Sequence, residues 1–223
     1  MDNGMQNNSE QKIDESKEER DEKRFEIIIA LTLAFFAAVL AISSLLGGKY
    51  GGDELLANGL SASQYEWFNS KGIKQTLIEG QSDLLKNLLE AGAISPQLES
   101  GIKSQIEKLD KRSLKYEREK NEIKRGSSAI DSKDWVQDDK DGKFGNIVGA
   151  DQYREIANGL GRACDYFDLS DLFLQISMVI GAVALVIQRK KLKSIFFILL
   201  ITSGILGLIF TTVGFIYAYP FVL

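Results

Sequence analysis

A run of aspartates precedes a glycine in the middle of this sequence. Its members are Asp131, Asp134, Asp138, Asp139 and Asp141, followed by Gly142. Clustered carboxylates around a glycine turn are typical of calcium loops. The spacing does not fit such a loop, because with Gly142 at the sixth position Gln137 takes the first and Val148 the twelfth, where acidic ligands are needed. We interpret the run as a solvated acidic turn and predict no metal site.

A second group of acids, Asp165, Asp168 and Asp171, is spaced three residues apart just before an apolar stretch. On a helix these side chains share one side, and in an oligomer they would form a ring that attracts cations. Acids near a helix start also cap free amides and complement the helix dipole, and we favour this second interpretation. The ring requires an oligomer that turns the three residues toward its axis.

Other catalytic elements are missing from the sequence. Histidine is absent and Cys164 is the single cysteine, which removes the commonest general base, every Cys/His metal site and any intramolecular disulfide. Phosphate loops, nucleophile elbows and nucleotide fingerprints do not occur. A hidden carboxylate pair, such as Glu66 with Glu79, is the remaining catalytic option. We expect no enzyme activity, no cofactor and no nucleic-acid partner.

Three apolar stretches dominate the organisation of the chain: Phe25 to Leu46, Leu172 to Ile187 and Ile195 to Tyr217. A helix of about 20 residues crosses the roughly 30 Å of bilayer hydrocarbon. We therefore predict an all-α membrane protein with transmembrane helices at 25–46, 167–187 and 195–217, a basic link at 188–194 and a short tail at 218–223. The leader, 1–24, is charged and lacks apolar spacing, which predicts disorder.

Charge and aromatic residues predict the orientation. Lys23 and Arg24 precede the first span, and a cluster of basic residues fills the link: Arg189, Lys190, Lys191 and Lys193. Positive charge marks the cytoplasmic face, and tyrosines flank the opposite ends of the spans: Tyr50, Tyr166, Tyr217 and Tyr219. We expect a multi-pass inner (plasma) membrane protein with a cytoplasmic amino terminus and an extracytoplasmic middle region.

Small residues recur at helical spacing in each span and predict helix contacts, because close approach stabilises helix pairs in lipid. They are Ala30, Ala34, Ala37 and Ala41 in the first span, Ser177 and Gly181 in the second, and Ser203, Gly207 and Thr211 in the third. Two arrangements remain open. The stripes pack against each other in one chain, or one of them builds an oligomer.

The middle region, 47–166, is predicted to be an extramembrane helical hairpin inserted between the first two spans. A glycine-rich segment, 47–52, suggests a flexible exit from the membrane. A first amphipathic helix presents Ile73, Leu77, Leu84, Leu88 and Ala91, and a second, starting after Ser95 at Pro96, presents Leu98, Ile102, Ile106, Leu109, Tyr116 and Ile123. We expect these faces to pair antiparallel. An acidic loop, 126–150, follows, with Trp135 and Phe144 holding it onto the helices.

Several segments resemble a bacterial membrane family called domain of unknown function 4337. They are Leu46-Gly-Gly-Lys, Glu54-Leu-Leu-Ala-Asn, Ala62-Ser-Gln-Tyr-Glu-Trp-Phe-Asn-Ser-Lys-Gly-Ile-Lys-Gln and Phe167-Asp-Leu-Ser-Asp-Leu-Phe-Leu-Gln-Ile. Their order matches the family pattern of a span, a helix, a charged coiled segment and a terminal pair of spans. Tyr65 and Trp67 depart from the family's aromatic spacing. The resemblance implies an architecture and no chemistry.

These observations predict a non-enzymatic scaffold or interaction module, whose partners are the lipid bilayer and either further copies of itself or another membrane or envelope protein. The helical stalk would mediate self-association or docking. The alternative is an oligomeric channel or transporter accessory subunit, with the acidic row or the faces of the spans lining a path.

Overall fold

The computed structural model describes residues 3–139 and 142–221, and within them side chains from residue 19 onward. Four long helices account for most of these residues: α1 (Asn3–Glu90), α2 (Pro96–Arg125), α3 (Ala150–Val186) and α4 (Lys190–Ala218). Short 3-10 turns occur at Ser127–Ala129, Ser132–Asp134 and Tyr219–Phe221. The described residues contain no β-strand, so the predicted all-α class is confirmed.

Three of the helices, within the described residues, are long and apolar enough to cross a membrane: α1, α3 and α4. Internal contacts divide the chain into two compact units. The first comprises Met1–Gly51 and Gly159–Leu223, and the second comprises Gly52–Asn158. Both boundaries fall inside helices, in α1 and in α3.

The core of the first unit is apolar and lies where α1, α3 and α4 meet. Its buried members are Ile29, Phe36, Leu174, Ala184 and Leu200. Along α1 the buried positions Ile29, Phe36, Ser43 and Tyr50 recur every seven residues. A seven-residue repeat keeps one face of a helix toward its neighbours over many turns, as in coiled coils.

The glycine-rich segment at 47–52 is helical, so the prediction of a flexible exit is wrong. The structure gives the reason, which is close packing against Phe167. A Cβ added at Gly47 would lie 3.2 Å from the Cβ of Phe167, and the centroids of the stacked Tyr50 and Phe167 rings are 5.7 Å apart. Each glycine in a helix costs about 1 kcal/mol relative to alanine. Packing of α1 on α3 in the first unit offsets that cost.

In the second unit, α2 runs antiparallel to residues 52–90 of α1. Polar contacts fix the direction, because partners further along α2 lie further back along α1: Ser82 with Asp110, Glu79 with Ser113, Gln75 with Lys120 and Lys71 with Glu119. Residues 91–95 form the turn, and Ser95 precedes Pro96 with extended backbone but no side-chain capping hydrogen bond.

The face that α1 turns toward α2 differs from the predicted one. Its less exposed positions are Lys71, Gln75, Ile78, Ser82, Leu85 and Leu89. The predicted face stays exposed, with Ile73 71% and Leu77 62% accessible. On α2 the predicted residues from Ile102 to Ile123 do lie on the less exposed face, whereas Leu98 is exposed. The face of α1 that meets α2 therefore combines Ile78, Leu85 and Leu89 with polar residues, and it is not the face that hydrophobic spacing predicted.

The connecting loop, residues 126–149, is organised by Glu122, a fully buried carboxylate near the end of α2. One oxygen accepts a hydrogen bond from the Ser127 hydroxyl at 2.7 Å, and the other accepts from the backbone N–H groups of Val136 and Gln137 at 2.8 and 2.9 Å. Trp135 donates its indole N–H to the Ser127 carbonyl and packs over Gly145, so these contacts join parts of the loop to each other. Phe144 is 58% exposed, so its predicted role in holding the loop is wrong.

Three helices begin earlier than the predicted spans, and the last of them, α4, begins at Lys190 inside the predicted link 188–194. The α3 helix starts at Ala150, well before 167. Buried residues recur at helical spacing in the added part, at Ala157, Leu160 and Ala163, so burial of this face stabilises the longer helix. The α1 helix starts at Asn3 within the leader, whose glutamates, glutamines and lysines are good helix formers. Lys23 and Glu19 form an exposed pair one turn apart on this helix.

Candidate interaction surface

An uncovered apolar face on the second half of α1 is the strongest candidate for a functional surface. We call it the apolar stripe: Ile73, Leu77, Gly80, Leu84 and Leu88. Its large side chains are 38 to 71% accessible. Contiguous exposed apolar patches on one helix face are typical of interaction sites, whereas single exposed leucines are ordinary.

The part of the stripe from Ile73 to Leu84 lines a groove of about 910 Å³ in the second unit. Phe68 and Lys120 stand at one end, where the Lys120 ammonium lies 5.1 Å from the Phe68 ring centroid. Gly80 has no atom within 4 Å of an added Cβ, so the groove is open at its centre. A second helix can therefore approach the backbone there without meeting a side chain.

Polar and charged contacts hold the opposite face of α1 to α2. Lys71 pairs with the largely buried Glu119 at 2.6 Å, and its ammonium lies 5.8 Å from the Trp67 ring centroid and 5.7 Å from that of Tyr116. Ring faces attract cations electrostatically. The rings and the carboxylate together compensate for the water that the Lys71 ammonium loses at this interface.

Two carboxylates on this interface have lowered pKa values. The Ser82 hydroxyl and the Lys86 ammonium donate to Asp110 at 2.6 and 3.2 Å, and these bonds lower the pKa of Asp110. A hydrogen bond from Ser113, followed by one from Gln75, lowers the pKa of Glu79. The hydrogen bonds favour the ionised form of both carboxylates. Asp110 of α2 is bound by two residues of α1, and Glu79 of α1 is bound by one residue of α2 and by Gln75 one turn away on α1.

Glu79 is committed to these contacts. Its Oε1 atom accepts both bonds, from Ser113 at 2.7 Å and from Gln75 at 2.8 Å. The structure therefore assigns Glu79 to helix pairing and does not bring it to Glu66 as a catalytic pair.

The predicted acidic row at the start of the second span is split by the fold. Asp165 and Asp168 are exposed, whereas Asp171 turns inward in the first unit and accepts a hydrogen bond from the Ser44 hydroxyl of α1. Within the described residues, the other Asp171 oxygen is buried and accepts no hydrogen bond. The three carboxylates therefore do not present one common face, which removes the geometry that a cation ring needs.

The predicted small-residue stripes have different surroundings. On α3 and α4 they lie in helix contacts: Ser177 donates to the Leu200 carbonyl, Ser203 to that of Phe173, and Gly181 and Gly207 lie against Leu200 and Leu174. Thr211 hydrogen-bonds with Ser170 at 2.6 Å. On α1, however, Ala30, Ala34 and Ala41 are exposed and Ala37 is half-buried. The alanine stripe is therefore not the face that α1 uses within the chain.

The acidic loop shows no metal-binding arrangement in its described part. No group of three or more carboxylate or thiolate residues there, or elsewhere in the described residues, is arranged to hold an ion. Asp139 uses its carboxylate within the loop, accepting from the Lys143 amide at 2.8 Å and from the Asn146 side chain at 3.1 Å. Asp141 lies outside the described residues.

Comparison with known proteins supplies a family. A family model described as a domain of unknown function (DUF4337) matches residues 25–217. The chain belongs to the DUF4337 family. No curated protein and no solved structure matches it significantly. For this DUF4337 protein, hydrophobic spacing identified the large residues of the apolar stripe but wrongly paired them with α2. The role of the buried Glu122 was not predicted, because its partners include backbone amides 14 and 15 residues away in the connecting loop.

Proposed function

We propose that the protein is a non-enzymatic scaffold of the bacterial inner membrane, and that its apolar stripe joins the stalk of one copy to that of a second copy. In this proposal α1, α3 and α4 cross the bilayer, and the middle region forms an extracytoplasmic helical hairpin. The amino terminus lies in the cytoplasm.

Basic charge supports the orientation. Lys193 is buried in the first unit and pairs with Glu26 of α1 at 2.7 Å, so the basic start of α4 lies beside the start of the apolar part of α1. Positive charge of this kind favours the cytoplasmic face. Stacked aromatic rings near the other end of the spans, Tyr166 with Tyr217 at 5.1 Å, fit the opposite headgroup region.

The observation that supports self-association is which face of α1 lies against α2. Toward α2 the chain turns a mixed face, in which the partly buried Lys71 and Gln75 and the buried Ser82 stand beside Ile78, Leu85 and Leu89. It leaves the more apolar face exposed, with Ile73, Leu77, Leu84 and Leu88 in contact with water. Each such side chain gains about 1.5–3 kcal/mol when it is fully buried. The apolar stripe is not covered by α2, so it is suited to bind a helix from another molecule.

The spacing of the stripe fits a second copy in parallel. Ile73 and Gly80 take d positions of a heptad repeat, and Leu77 and Leu84 take a positions. Two copies in one bilayer run in the same direction, so Leu77 and Leu84 each meet their counterpart. The flanking g to e′ pairs would be Asn69 with Lys74, Thr76 with Gln81 and Asp83 with Leu88, none of which repel.

A charge placed in the stripe tests the proposal. Leu84→Glu buries a carboxylate in the proposed interface and should convert the complex to monomers, measured as mass in detergent or nanodiscs. Leu114→Glu is the matched control, because Leu114 on α2 is 58% exposed and Leu84 is 59% exposed. A wild-type monomer, a complex built with a different protein, or an assembly that survives Leu84→Glu would each contradict self-association through the stripe.

A further inference from the structure

A second concave site lies in the second unit, apart from the apolar stripe. It is a cavity of about 580 Å³ between α1, the connecting loop and the first turn of α3. The side chains that matter for its chemistry are Ser63, Gln64, Trp67, Asp138, Asn146 and Tyr153. Small-molecule sites are commonly of this size and combine aromatic walls with a few polar groups.

The loop wall of the cavity is held in place by hydrogen bonds. Glu122 binds the amides of Val136 and Gln137, next to Asp138. Asp138 and Phe144 form a single antiparallel bridge, and Asp139 fastens the segment that carries Asn146. A wall fixed in this way presents its polar groups without an ordering cost at binding.

Two hydrogen-bond acceptors of the cavity, on Gln64 and Asp138, have no donor among the described residues. The Gln64 carbonyl oxygen is buried and accepts no hydrogen bond from the described residues. The Asp138 side chain is exposed and makes no ion pair or hydrogen bond with described residues. The described residues that line the cavity include no lysine or arginine, so no basic side chain among them neutralises Asp138. A buried acceptor without a donor costs about 1–3 kcal/mol, which a donating ligand would recover.

We propose that this cavity binds a small organic cation bearing a primary ammonium or guanidinium group. Such a group donates to the Gln64 carbonyl and to Asp138, and its charge is attracted to the ring faces of Trp67 and Tyr153. A bare metal ion lacks the clustered carboxylates it requires among the described residues. A neutral polyol would leave the charge of Asp138 without an opposite charge.

Calorimetric titration of the full-length protein in detergent at low salt tests this site, with putrescine as the probe. Its uncharged analogue, 1,4-butanediol, should give no binding. Asp138→Asn should weaken putrescine binding about tenfold or more, because it removes a charge-assisted hydrogen bond. Asp131→Asn makes the same charge change outside the cavity, at a carboxylate paired with Lys133, and should leave the affinity within about twofold.

Three results would overturn the proposal. They are the absence of putrescine binding, equal binding of butanediol, and equal weakening by Asp138→Asn and Asp131→Asn. Circular dichroism of each variant confirms that the helices persist. Because the cavity and the apolar stripe are separate, Leu84→Glu should retain putrescine binding, so failure of this site and failure of self-association are distinguished.

Discussion

Removing the carboxylate of Glu122 should open the connecting loop locally. In Glu122→Leu, the Ser127 hydroxyl and the amides of Val136 and Gln137 lose the acceptors they now reach at 2.7 to 2.9 Å. Each buried donor left without a partner costs about 1–3 kcal/mol, so the three together cost about 3 kcal/mol at the lower bound. That loss corresponds to a roughly hundredfold larger equilibrium population of the open loop.

Amide hydrogen exchange of the full-length protein measures this opening directly. Exchange should accelerate at Val136 and Gln137 and at Ile147, whose amide donates to the Ser127 hydroxyl oxygen at 3.0 Å. Glu122→Gln should have a smaller effect, since its carbonyl oxygen still accepts from the amide pair. Glu117→Leu, at an exposed glutamate of α2, is the control. Unchanged exchange in Glu122→Leu would refute the assignment of Glu122 as the organiser of the loop.

Three further predictions concern helix packing. The pKa of Asp110 is lowered, so its contribution to stability is complete above its ordinary pKa and is lost as the pH falls through its lowered value. The difference in thermal unfolding between wild type and Asp110→Asn should therefore be full at about pH 6 and shrink as the pH falls below the ordinary pKa of an aspartate, and a constant difference would contradict this. Lys71→Met leaves the buried Glu119 carboxylate with only its longer contact to Lys115, at 3.7 Å. It should cost less in chemical denaturation than a fully unpaired buried charge, which costs about 3–5 kcal/mol, and replacing both Lys71 and Glu119 with methionine should cost clearly less than the single change; equal losses would argue against the pair. Gly204→Ala places a Cβ at 2.1 Å from the Phe36 ring and should lower the melting temperature, whereas Gly48→Ala meets no atom within 4 Å and should raise it; the reverse order would contradict the packing of the first unit.

The sequence predicts the helical class well because the signals are local. Long apolar runs, a serine before a proline at the start of α2, and heptad spacing from Ile102 to Ile123 each arise within one element. The face of α1 that meets α2 was not predictable in the same way. Ile73 and Leu77 mark an apolar face, but spacing alone does not say whether that face is covered by its own chain or by another molecule.

The remaining differences involve contacts distant in sequence. The helical state of 47–52 depends on Phe167, far along the chain, which packs against Gly47 and Tyr50. Asp171 follows the spacing of an acidic row, yet its hydrogen bond to Ser44 turns it away from the other two acids. Neither partner is visible from the local pattern of residue types.

Disulfide scanning in native membranes tests the central claim most directly, with single cysteines introduced into a Cys164→Ser background. Parallel pairing of two apolar stripes predicts that Leu77→Cys and Leu84→Cys each form a dimer with their own counterpart, while Leu114→Cys does not. A mixture of Ile73→Cys and Leu88→Cys should give no mixed dimer, because 15 residues of helix separate these positions by about 22 Å. Monomers at both Leu77→Cys and Leu84→Cys, or a Leu114→Cys dimer of equal yield, would contradict the account.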